Sequence, residues 1–433
     1  MNLEVGSLKP LLFLALIVIA VLLRAGNLGG FHPMDADEKS WLMVGVSLLN
    51  ERVPSSWSLF SHLGVAREAG CGQVMTPFLA HPPLFGLLIG GWARLTGQDD
   101  WCNFNWALIR VPMIIISVLT ISVTYLLVKK LFGGRLALFT ILAFVFFPSH
   151  IVTSRIVAAE HLVGLLLILG LYLFVLFETI ETEYKRKMAG AGMVFLCVVS
   201  LLIKLSAIVI PATLVFLALY KRRWSLGVVL LGAALGSVLL LAGYGYYYSW
   251  DIFYNSMIAH HDRPQNFWNF WSLFTSLNIG NYGFYDPSII VGLIGSLALA
   301  ARKRSRKGIY IFAPLFIFSF LFLYVAPFEA YGWYKYAVYP LIAVGLGYVF
   351  CQLFKQRKVY MFLFLPLLSI MLQNSGVLDS QTDKRIMVLM FYGIVTIALL
   401  LRNRLLVLKP AFLALLLFMF ALEVLWVSRT LGL

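Results

Sequence analysis

The chain is poor in charge: only 12% of its 433 residues are Asp, Glu, Lys or Arg, while 61% are hydrophobic. That balance excludes an ordinary soluble protein, whose charged share is roughly a quarter. Cysteine is also scarce. Four Cys with no C-x-x-C pair exclude a disulfide framework and a zinc site built on paired thiolates. Cys197 and Cys351 lie in apolar runs, and Cys71 and Cys102 share one polar loop, where an oxidising compartment would permit a disulfide. There is no internal repeat, no low-complexity tract and no stretch that reads as a separate soluble domain. Residues 11–23 lack a small-residue cleavage pattern, so they read as a retained first spanning helix and not as a signal peptide.

Acids are few as well, 19 against 34 Lys and Arg, for a net charge of +15. Such an excess would suggest nucleic acid if the basic residues were spread over a polar surface. They are not. Most fall in short connectors between long apolar runs: Lys9; Lys129, Lys130 and Arg135; Lys185 to Lys187; Lys221 to Arg223; Arg302 to Lys307; Lys355 to Lys358; and Arg402 to Lys409. Alternate connectors carry the clusters, as the positive-inside rule requires of cytoplasmic loops. The basic charge therefore reports membrane orientation, and no nucleic-acid partner is expected.

At roughly 20 apolar residues per crossing, the runs predict an all-α polytopic membrane protein of about 13 transmembrane helices. Their starts fall near Lys9, Phe104, Gly134, His161, Met188, Leu205, Ser225, Pro287, Gly308, Lys335, Val359, Ile386 and Lys409. The N-terminus is expected inside. Two outer loops, 25–103 and 248–286, are too long to be turns and are expected to carry function. Within the first, 38–50 and 82–96 are apolar but short, and read as interfacial helices. Counting 82–96 as a crossing would put the Lys129/Lys130 cluster outside, against the charge rule. Residues 1–340 are read as a catalytic transmembrane module and 341–433 as C-terminal transmembrane helices. The chain is thus placed in a bacterial inner membrane or other cell membrane.

Charge at membrane depth is costly and calls for a reason. Asp35, Asp37 and Glu38 precede the helix at 38–50, where they serve either as a helix cap or as a rigidly held general base. Arg155, Glu160 and His161 form a second outer group, read either as a solvated loop or as part of the same pocket. Lys204 interrupts an apolar run, either snorkelling to the surface or holding an anion. Arg263 sits in H-H-D-R-P-Q-N-F-W, and Lys335, Tyr336 and Tyr339 in Y-G-W-Y-K-Y-A-V-Y-P. Such aromatics suit a membrane-interface belt, or with Lys204 a phosphate at headgroup level.

In order along the chain come D-E at Asp37-Glu38, H-P-P-L-F at His81 to Phe85, Arg110-Val-Pro, K-K-L-F-G-G-R at 129–135, P-S-H-I-V-T-S-R at 148–155, the Lys204 segment and K-Y-A-V-Y-P at 335–340. The set resembles the glycosyltransferase C superfamily, in its protein O-mannosyltransferase and lipid A aminoarabinose transferase branch. The resemblance implies an inverting transfer of a sugar from a polyprenyl-phosphate carrier to an acceptor hydroxyl of a glycan, lipid or protein on the outer face. It implies Asp37 as base with Glu38 beside it, and Glu160 as the second loop's acid, although relatives usually have Asp there. Lys204, Arg263 and Tyr336 fall where the family binds the carrier phosphate, joined by Lys335 and Arg155. His81 stands where relatives often have Lys, so it replaces that contact only when protonated.

No cofactor is required, and a divalent metal would be held by Asp37 and Glu160 only if they converge. Two other classes stay open. A lipid-linked polysaccharide polymerase or ligase would depend on Arg and His in long outer loops. A transporter or flippase would place charges near mid-membrane.

Overall fold

The computed structural model describes residues 5–30, 36–57, 64–69, 72–98, 100, 103–261, 277–279, 282–284, 286–301, 306–325 and 332–354. The expected helices starting at Val359, Ile386 and Lys409, the residues Asp35 and Arg263, and the Cys71/Cys102 pair lie outside them.

The described chain is helical, with two short antiparallel hairpins: β1 (Val65–Ala69) with β2 (Gly72–Thr76), and β3 (Leu277–Ile279) with β4 (Tyr282–Phe284). The helices are α1 (Val5–Ala25), α2 (Ala36–Asn50), α3 (Pro83–Leu95), α4 (Trp106–Ile109), α5 (Val111–Phe132), α6 (Gly134–Val145), α7 (Pro148–Thr153), α8 (Ala159–Thr179), α9 (Glu183–Ile203), α10 (Val209–Tyr220), α11 (Trp224–Tyr248), α12 (Trp250–His261), α13 (Pro287–Ala300), α14 (Ile309–Val325) and α15 (Tyr339–Phe354). Among the described residues, five stretches are long and apolar enough to cross a membrane: Trp106–Phe132, Ala159–Thr179, Glu183–Ile203, Trp224–Tyr248 and Tyr334–Gln352. The first ten expected crossings all fall on helical segments; the count of 13 extends past the described residues.

Local chemistry sets the breaks. Asn105 accepts from the N–H groups of Ala107 and Leu108, capping α4, and Pro112 opens α5 where a missing N–H costs nothing. Gly133, at φ 96°, ends α5 in a conformation that favours glycine. Lys204 leaves α9 in an extended conformation (φ −163°, ψ 149°) before a single 3₁₀ turn, Leu205–Ile208, leads into α10. That break places a lysine between two apolar helices.

Packing separates a core from a rim. Nearly all residues of Tyr334–Gln352 are buried, wedged against α6 and α13, whereas under a third of those of Trp224–Tyr248 are, and the rest turn outward. Connectors bearing basic residues gather at one end: Lys307 donates to the Leu131 carbonyl at 2.7 Å, Arg223 to Glu178 at 2.8 Å, and Lys221 lies over the Tyr310 ring.

One expectation changes here. The segment 38–50, read as an interfacial helix, is α2, and from Ser40 to Val46 every residue is buried in protein. Its apolar side chains do not follow a single stripe, the pattern of a helix covered all round. α3 packs directly on it: a Cβ added at Gly45 would come within 1.8 Å of the Gly86 carbonyl oxygen. The two backbones touch because both positions are glycine.

Candidate active site

The first turn of α2 carries Asp37 and Glu38 side by side. Glu38 is buried and bound to a buried arginine by two parallel bonds: Arg110 Nε to Oε1 at 3.0 Å and Nη2 to Oε2 at 2.7 Å. The same carboxylate accepts the Val157 N–H at 2.8 Å, and Arg110 also donates to the Leu28 carbonyl at 2.8 Å. Charge-assisted fork-to-fork pairing of this kind fixes geometry as well as energy. Glu38 therefore ties the start of α2 to the start of α5 and to the 154–158 turn. That turn leads straight into Glu160.

Glu160 lies in the first turn of α8, where a carboxylate suits the helix dipole. Its Oε1 pairs with Lys204 Nζ, and its buried Oε2 has no hydrogen-bond partner among the described residues. Lys204 keeps 15% of its side chain accessible, the Glu160 side chain 1%. The ammonium lies over two rings, Trp41 at 5.7 Å and Tyr334 at 5.5 Å. Asp37, partly exposed, acts electrostatically on both Glu160 and Lys204. Burial pulls the Lys204 pKa down, but Glu160, Tyr334 and Asp37 raise it further, so the net shift is upward and the group stays cationic. His81 stacks on Trp41, centroids 4.0 Å apart at 11°.

A second, closed cluster adjoins the first. His161, next to Glu160 but turned by about 100° around the helix, places Nε2 at 2.8 Å from the Thr153 carbonyl and its ring on Tyr336 at 4.6 Å. Arg24 Nη2 donates to His150 Nδ1 at 2.9 Å, which makes that nitrogen an acceptor, and Arg24 also reaches the Phe144 and Val145 carbonyls at the C-terminal end of α6. A guanidinium on the negative end of a helix is tolerated in burial. Arg155 donates to the Leu23 carbonyl at 2.6 Å, and burial pushes its pKa down to about 10.

Lys335 and Tyr339 are fully buried and Tyr336 nearly so. Lys335 interacts electrostatically with Asp286, whose two oxygens accept the N–H groups of Ser149 and Ser288, each at 2.9 Å. One carboxylate thus caps α7 and α13 together. Burial raises the Asp286 pKa and those hydrogen bonds lower it, with a net rise.

Of the residues singled out from sequence, the structure brings together Asp37, Glu160 and Lys204, with His81 reaching the same group through Trp41. Glu38 sits beside them with its carboxylate engaged by Arg110. His161, Tyr336, Tyr339, Lys335 and Arg155 line the covered cluster. Arg110, Trp41, Tyr334, Arg24, His150 and Asp286 were not singled out as site residues, although Arg110, His150 and Tyr334 lie within the quoted motifs Arg110-Val-Pro, P-S-H-I-V-T-S-R and Y-G-W-Y-K-Y-A-V-Y-P. Among the described residues, no three His, Cys, Asp or Glu side chains group closely enough to hold a metal ion.

Residues 80–247 match the family model of dolichyl-phosphate-mannose-protein mannosyltransferases. No curated protein sequence matches the chain. In fold the chain is similar to ArnT from Cupriavidus metallidurans bound to undecaprenyl phosphate, with a TM-score of 0.61 at 16% identity over 96% of this chain and 75% of that one. The apo form of ArnT gives 0.60 at the same identity and coverage. The Archaeoglobus fulgidus oligosaccharyltransferase tethered to an acceptor peptide containing the NVT sequon gives 0.51 at 13% identity, over 96% and 55%. The matched segment carries Glu160, Lys204, His81 and Arg110, and the fold that surrounds it is ArnT-like: the chain resembles the glycosyltransferase C superfamily in both sequence model and architecture.

Proposed function

We propose that this chain is an inverting glycosyltransferase that moves a sugar from a polyprenyl-phosphate carrier to an acceptor hydroxyl at the outer face of a membrane. The observation that carries the reading is the meeting of Asp37, Glu160 and Lys204, from three separate elements, at the end of the bundle away from the basic connectors. The match to a mannosyltransferase family model and the likeness to ArnT, whose crystal structure contains undecaprenyl phosphate, support the donor class.

In this reading Asp37 takes the acceptor proton as the acceptor oxygen attacks the anomeric carbon from the face opposite the phosphate. The bond from that carbon to the phosphate oxygen breaks, and its electron pair leaves with the polyprenyl phosphate. A positioned general base contributes about 10²–10⁴-fold. Negative charge grows on the leaving phosphate, and Lys204 is the cation set to receive it, with Arg155, Arg263 and a protonated His81 as further candidates. Preorganised charge of this kind acts without reorganisation during the reaction. Glu160 holds Lys204, and Glu38 with Arg110 holds Asp37. Lys335, Tyr336 and Tyr339 support the pocket wall from behind.

The experiment is release of polyprenyl phosphate in reconstituted membranes supplied with a panel of polyprenyl-phosphate sugars and acceptors. Release with one donor and not with the others supports the reading and names the sugar. No release with any donor from folded protein overturns it in favour of a polymerase, ligase or transporter.

A further inference from the structure

Trp41 is one of the largest fully covered side chains, 1% exposed, in a helix start that also carries the candidate base. An aromatic of the membrane-interface belt keeps its polar edge at the lipid boundary; this one is enclosed. Its ring is fixed on two sides, by the His81 imidazole stacked at 4.0 Å and by the Phe85 edge at 5.1 Å and 88°. Lys204 Nζ lies over it at 5.7 Å and over Tyr334 at 5.5 Å.

Lysine is a point charge on a flexible stem, and holding it in one place costs side-chain entropy. The ion pair to Glu160 holds the ammonium by one partner only. Two ring faces add further attraction on the same group, through the negative faces of their π-systems.

We infer that Trp41 is a positioning residue for the carrier phosphate: its ring, braced by His81, helps hold the Glu160-paired Lys204 ammonium at the place of the phosphate. The inference rests on the proposed function and names a residue that acts through Lys204. It also gives His81 a role independent of its protonation, as the brace of the ring.

The test is binding of undecaprenyl phosphate to the protein in nanodiscs, for the unaltered chain, Trp41→Leu, Lys204→Met and the double variant. Trp41→Leu is expected to weaken binding about three- to thirtyfold, the span from an exposed to a desolvated cation–π contact. In the Lys204→Met background the same change is expected to cost nothing further. Should Trp41→Leu not fold, the cycle is run with Trp41→Phe, whose weaker ring predicts a loss of about twofold that also vanishes without Lys204. An equal loss in both backgrounds would make Trp41 a packing residue and overturn the inference, as would unchanged binding. Failure of the unaltered chain to bind undecaprenyl phosphate would overturn the proposed function itself, and this inference with it.

Discussion

Ion pairs at the two ends of the bundle share the same chemistry and differ in what surrounds them. At the basic end, Glu183–Lys187 spans one helical turn with both side chains mostly in the open, and Glu178–Arg223 is half open on its arginine. At the other end, Glu38–Arg110 is sealed and Glu160–Lys204 nearly so. Exposed pairs contribute little, because water and salt already solvate both partners. In burial, each partner is indispensable to the other. Positive charge at the basic end is clustered in the connectors, whereas Glu38 and Glu160 at the site end are each buried against a single cationic partner.

The sharpest way to break this contrast is to remove Arg110. Arg110→Ala leaves the Glu38 carboxylate buried without its cation, and a loss of about 3–5 kcal/mol is expected in denaturant or thermal unfolding of the detergent-solubilised protein. Arg110→Lys keeps the charge and loses the fork, so it is expected to recover only part of that stability. A full recovery would show that charge alone matters there.

Next comes Lys204→Met, expected to lower transfer by about 10²–10³-fold, as removal of one preorganised charge-stabilising group does. Because the Lys204 pKa is shifted up, its ammonium is present at neutral pH and is lost only above the ordinary lysine range. An alkaline limb of the pH–rate profile that falls well below that range and disappears in Lys204→Met would contradict the upward shift, whereas transfer unchanged in Lys204→Met would contradict the assignment.

Asp286→Ala removes one carboxylate from two helix starts, with a cost of about 1–2 kcal/mol per lost cap, measured by unfolding. The smallest effect is expected at the basic end. Lys187→Ala is expected to change stability by no more than about 0.5 kcal/mol. A large loss at Lys187 with none at Arg110 would invert the comparison.

Much of this contrast is legible in the residues themselves. Lys204 and Glu160 stand out because a charge in an apolar run needs a partner, and hydropathy marks the helices that carry them. Asp37 and Glu38 stand out at a helix start, but their division of labour does not. Glu38 is clamped because Arg110, 72 residues away, reaches it, and no local pattern encodes a contact at that separation. Trp41 reads as one more apolar residue of a short helix until its ring is seen under Lys204. Lys335 and Tyr336 look like surface aromatics and cations, yet Asp286 and His161 draw them inward. The short helix at 38–50 reads as interfacial because sequence shows its length and polarity and not the cover that α3 provides.

The most direct measurement of the central claim compares the unaltered chain with Asp37→Asn for polyprenyl-phosphate release in reconstituted membranes, at equal amounts of folded protein. The amide keeps the shape of the carboxylate while removing its basicity. Loss of release by about 10²-fold or more, with undecaprenyl phosphate still bound, is the result expected of a general base. Release at the rate of the unaltered chain would contradict the assignment of Asp37 as the base.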